Sequence, residues 1–84
     1  MVSPEGQKIT ERFFEAVEVL KTTKAIPGQA TLSRELEVEN SSMYKLKNHP
    51  EIYTLKPEYI RHLSLKYRVS AEWIITGKGQ MFTK

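Results

Sequence analysis

The segment LSRELEVENSSMYKLKN, residues 32–48, decides how the chain is read. Leu32 and Leu36 fall at helical spacing, as do Met43 and Leu46, and Val38 stands between the pairs as an inward-facing apolar residue. The pattern predicts two short amphipathic helices, about Gln29 to Glu37 and about Ser41 to Lys47 or Asn48, joined by a tight turn. Ser33 is the small residue at their close contact. Glu37 lies where such a turn most easily takes glycine, and a side chain there implies a left-handed or adjusted backbone costing roughly 1 kcal/mol.

The second of these helices carries the chemistry. With Met43 and Leu46 turned inward, its other side presents Ser41, Tyr44, Lys45 and Asn48, with Asn40 at the mouth. All five form hydrogen bonds. The amino end of a helix also offers unpaired N–H groups and partial positive charge, which suit phosphate oxygens. In a DNA major groove, Asn pairs bidentately with adenine, Lys donates to guanine and Ser serves either. Each residue also has an ordinary reading: Asn40 and Ser41 as helix caps, Lys45 and Lys47 as solvated cations, Tyr44 flat on a neighbouring helix. Together they ask for more, because so short a helix with a wholly polar outer face gains little from propensity alone.

The rest of the chain supplies a scaffold. Ser3 and Pro4 can open a first helix, with Gly6 delaying its start to near Gln7. Ile9, Phe13, Val17 and Leu20 form its apolar stripe, Ala16 beside them, and Glu11, Arg12, Glu15, Glu18 and Lys21 occupy its wet side. Pro27 ends it by turning Ile26 away from helical geometry. Pro50 stops the third helix, and EIYTL, residues 51–55, reads as a loop. Pro57 restarts a helix lined by Ile60, Leu63 and Tyr67, ended by RVS. Ser70 caps a last helix from Ala71 to Thr76, Val69 stapling onto Ile74, with Gly77 as terminator. Met81 and Phe82 are expected to fold back onto the body. Five short helices around one core make a single all-α domain over residues 1–84.

Eighty-four residues allow one modest core. No apolar run approaches the roughly 18 residues of a membrane span, and the N-terminus lacks the basic start and apolar stretch of a secretory signal. Cysteine is absent, which fits a cytoplasmic setting and leaves no thiolate for a metal or disulfide. Net charge is +3, unevenly spread: residues 1–40 balance at −2 and residues 41–84 at +5. A basic second half favours a polyanionic partner.

LSRELEVENSSMYKLKN looks like the helix-turn-helix of the lambda repressor-like family of phage and bacterial regulators. Leu32, Ser33, Leu36, Val38, Met43 and Leu46 occupy the core places of that pattern, and Gln29 opens the second helix as a glutamine often does there. YRVSAEWIITGKGQMF, Tyr67 to Phe82, resembles the end of phage repressor DNA-binding domains, where a VS-x-x-W-(I/L)-(I/L)-T-G-x-G-x-M-F run recurs. The resemblance implies a helix-turn-helix over residues 29–48 whose third helix enters the major groove while the second crosses the backbone. It places Asn40, Ser41 and Lys45 against base edges, Ser42 and Tyr44 at the groove wall, and Gln29 and Asn48 on phosphates. Charge alone adds Lys47 and Lys56 as phosphate contacts. Glu39 lies near the expected phosphate path, where a carboxylate is repelled unless it accepts from a cytosine amino group.

The expected partner is double-stranded DNA, bound by a homodimer that represses by occluding a promoter or operator; Trp73 to Phe82 is a candidate dimer surface, although Trp73, Ile74 and Met81 are expected in the core ahead of that role. The chain is then either a complete regulator or the N-terminal domain of a longer repressor. No metal, cofactor or small-molecule ligand is expected. An enzyme is disfavoured: His49 and His62 are the only histidines, and GKG at 77–79 lacks the longer frame of a phosphate-binding loop. The stronger rival is a protein-interaction module, antitoxin-like or serving a phage partner, with the acidic first helix and Glu35, Glu37 and Glu39 meeting a basic protein.

Overall fold

The computed structural model describes residues 1–83, and among them five α-helices follow one another. They are α1 Pro4–Thr22, α2 Gln29–Glu35, α3 Asn40–Asn48, α4 Pro57–Tyr67 and α5 Ala71–Thr76. The all-α architecture expected from periodicity is what forms. No helix is long and apolar enough to cross a membrane.

α1 starts at Pro4 rather than near Gln7. The Ser3 hydroxyl accepts the Gly6 N–H at 3.1 Å, and this cap holds Gly6 inside the first turn. Phe13, Ala16, Val17 and Leu20 are buried as the stripe predicts, Ile9 partly so. Phe14 and Thr10 join them, the Thr10 hydroxyl donating to the Gly6 carbonyl at 3.3 Å, so that no buried hydroxyl is left bare. Arg12 departs from the wet side assigned to it. Its Nε donates to the Ile74 carbonyl at 2.7 Å and its Nη2 to that of Ile75 at 2.9 Å. Those are orphan carbonyls at the end of α5, where a cation also meets the negative end of the helix dipole. α1 thereby packs along α5 and, on another side, against α3.

α2 ends at Glu35, two residues short of the expected Glu37, because the turn takes over its last carbonyls. Glu37 N–H donates to the Arg34 carbonyl at 3.1 Å and Val38 N–H to that of Ser33 at 3.0 Å. This is the Schellman arrangement, with Glu37 at the left-handed position, φ 58°. The left-handed branch of the two backbones open to Glu37 is the one used. α3 begins at Asn40, with Glu39 extended at its cap and giving no side-chain capping bond.

Arg68, also left-handed at φ 60°, ends α4. The Ser70 hydroxyl accepts the Trp73 N–H at 3.1 Å to open α5, and Val69 and Ile74 on either side of that cap are fully buried. The tail folds back as expected, by an isolated antiparallel bridge between Val69 and Phe82. Ser70 N–H donates to the Met81 carbonyl and Thr83 N–H to that of Arg68, each at 2.7 Å. Ile26, Leu32, Met43, Leu46, Leu55, Tyr59, Ile60 and Leu63 complete the core.

Candidate nucleic-acid interface

α3 is nine residues long, and Met43 and Leu46 fix which way it faces. Both are buried, so the positions between and beyond them look outward. Ser41, Ser42, Tyr44, Lys45 and Asn48 are all exposed, Tyr44 by 48%. Asn40 is exposed at the first turn, but its carbonyl oxygen lies 3.0 Å from the Ser33 hydroxyl. The same hydroxyl lies 3.1 Å from the Gln29 carbonyl, so Ser33 links the first turn of α3 to the start of α2 through the Asn40 side chain. The Ser41 hydroxyl lies 3.5 Å from the Glu39 carboxylate, a long contact that turns the acid toward the same helix end.

Two expected contacts stand elsewhere. Gln29 is only 5% exposed, and its amide nitrogen has no hydrogen-bond partner among the described residues. A side chain so enclosed is not presented to a strand lying on the surface. Lys47 is half-buried on the side of α1: the Lys21 ammonium, which donates to Glu18, holds that carboxyl below the usual range, and the charge of Lys47 adds to the effect. Lys47 was read from charge alone, and helical phase turns it away from the Ser41–Lys45 side.

Lys56 is exposed at the cap of α4 and lines the same cleft as Lys45. Tyr53 and Thr54, both exposed and expected only as loop, also line the cleft. No local signal marked them, because only the path of residues 49–56 brings them beside α3.

Beyond the shared core, one carboxylate of α2 is hydrogen-bonded to α4. Glu35 accepts from His62 Nε2 and Lys66 Nζ, each at 2.8 Å, and the Tyr67 hydroxyl lies 2.8 and 2.9 Å from its two oxygens. Partial burial pushes the carboxyl pKa up, but hydrogen bonds from Lys66, His62 and Tyr67 outweigh it and bring it from 4.5 to about 2. Burial and the same carboxylate push the Tyr67 hydroxyl up. His62 is therefore a half-buried structural histidine. Among the described residues, no group of three or more His, Cys, Asp or Glu gathers to hold a metal.

No protein-family model, curated protein or solved structure matches the chain.

Proposed function

We propose that the chain is a sequence-specific, double-stranded DNA-binding domain of the lambda repressor-like type. It acts as a cytoplasmic regulator of phage or bacterial kind, a repressor that occludes an operator rather than a catalyst. The observation that carries this reading is the exposed face of α3. Five side chains that hydrogen-bond, one of them a cation, stand on one side of a helix anchored through Met43 and Leu46, behind a Schellman turn.

With α3 in the major groove, Asn40, Ser41 and Lys45 meet base edges, and Ser42 and Tyr44 lie along the groove wall. Asn48, Lys56 and the Tyr53 and Thr54 hydroxyls take phosphates beside it. One module makes few contacts, so binding is by a homodimer reading two half-sites.

The rival reading, a module for a basic protein partner, counted on the acidic first helix and on Glu35, Glu37 and Glu39. Glu35 is engaged by His62, Lys66 and Tyr67 within the domain, which leaves Glu37, Glu39 and the exposed Glu11 and Glu15 of α1 for such a partner. Selection from random duplexes, followed by anisotropy titration of the selected site at several salt concentrations, separates the two. Enrichment of one site with a steep salt slope is expected, since neutralised phosphates release counterions. No enrichment, with weak binding only at low salt, transfers the proposal to a protein partner.

A further inference from the structure

The cleft along the flank of α3 has a volume of about 260 Å³. Its floor is core: Met43, Leu46 and Tyr59 are each more than nine-tenths buried. Its rim carries two cations from separate elements, Lys45 of α3 and Lys56 at the cap of α4, and the ring of Tyr53. No carboxylate lines it, and neither lysine has an ion-pair partner among the described residues. Two unneutralised cations over an apolar, aromatic floor are complementary to an anion with an apolar body. The volume lies just below the range for drug-sized ligands, which fits one or two fused rings and excludes a peptide.

We infer that this cleft binds a small aromatic carboxylate, its ring on Met43, Leu46 and Tyr59 and its charge between Lys45 and Lys56. Lys45 belongs at once to the cleft rim and to the outer face of α3. An occupant neutralises the cation that the DNA reading assigns to a base, so ligand and duplex compete. This second part, the regulatory one, rests on that reading.

The probe is 1-naphthoate, titrated into the ¹⁵N-labelled chain, with acetate (charge without body) and 1-naphthalenemethanol (body without charge) as controls. Saturable one-to-one shifts are expected at residues 42–46 and 53–56. The naphthoate affinity should exceed that of the alcohol about twenty-fivefold, the value of two solvent-facing ion pairs, and fall about fivefold in Lys56→Ala, the value of one. Scattered or unsaturable shifts, equal affinity for the alcohol, or full affinity in Lys56→Ala overturn the site. The same naphthoate is then added to the complex with a selected duplex. Weakened duplex binding supports competition, and simultaneous binding without mutual loss overturns it. A chain that binds no duplex fails the DNA reading, while the naphthoate titration still decides the site.

Discussion

Glu37 holds a left-handed backbone that costs an L-residue about 1–2 kcal/mol, while its N–H and that of Val38 close the Schellman turn. Glycine adopts the same geometry without that strain, at a smaller cost in unfolded-chain entropy. Glu37→Gly should therefore raise stability by about 0.5–1 kcal/mol, a melting temperature several degrees higher by calorimetry. A clear loss instead means that the Glu37 side chain makes a stabilising contact. Lys45 belongs to the same scale. Lys45→Ala should weaken duplex binding and relax preference at one base position, measured by comparing the selected site with its single-base variants. Uniform weakening across all sequences makes Lys45 a phosphate contact. Both residues were legible in the sequence, Glu37 because a turn demands a particular φ and Lys45 because Met43 and Leu46 fix the phase of α3. Asn40 was half legible: its exposure follows from phase, but its hydrogen bond comes from Ser33, seven residues away.

Between elements, single polar side chains act as joints. Arg12 holds α1 to the carboxyl end of α5 by two charge-assisted hydrogen bonds. Arg12→Ala should cost about 2 kcal/mol in urea denaturation, and Arg12→Lys should recover only part, because an ammonium lacks the guanidinium fork. Glu35 joins α2 to α4, and its low pKa makes that joint sensitive to acid. The folded carboxyl titrates near 2 against 4.5 as its ordinary value, so the joint stabilises above pH 4.5 and is lost as pH falls toward 2. Allowing for solvent around the half-exposed Lys66, the contribution is about 2 kcal/mol. Glu35→Gln should be less stable at neutral pH and should flatten the stability profile between pH 4.5 and 2. An unchanged acid limb removes Glu35 as its source. Neither joint could be read from periodicity, which marks Arg12 and Glu35 only as polar positions on amphipathic helices.

For the whole molecule, the DNA reading requires two copies. A homodimer on DNA should protect two half-sites centred about 10–10.5 base pairs apart, or a multiple of that spacing. Sedimentation of the complex with the selected duplex should give two chains per site, and one chain on a single half-site contradicts the dimer. Trp73 and Met81 are partly buried against the domain's own core and Ile74 is fully so, in line with the core role expected of all three. Ile75 is the large apolar side chain of α5 left exposed.

What the sequence determined by itself was local and periodic. Helix spacing gave the number and order of the helices, their inward faces, the outward face of α3, and a strained turn at Glu37. These follow from backbone geometry and from the need to bury an apolar stripe, both of which act over a few residues. Tertiary structure alone decided which polar groups spend their hydrogen bonds inside the fold. It engaged Glu35 and Arg12, enclosed Gln29, placed Lys47 on the side of α1, and set the 49–56 segment beside α3 to form the cleft. A hydrogen bond or ion pair depends on a partner placed to within tenths of an ångström. When that partner lies tens of residues away, only packing of the whole chain can place it.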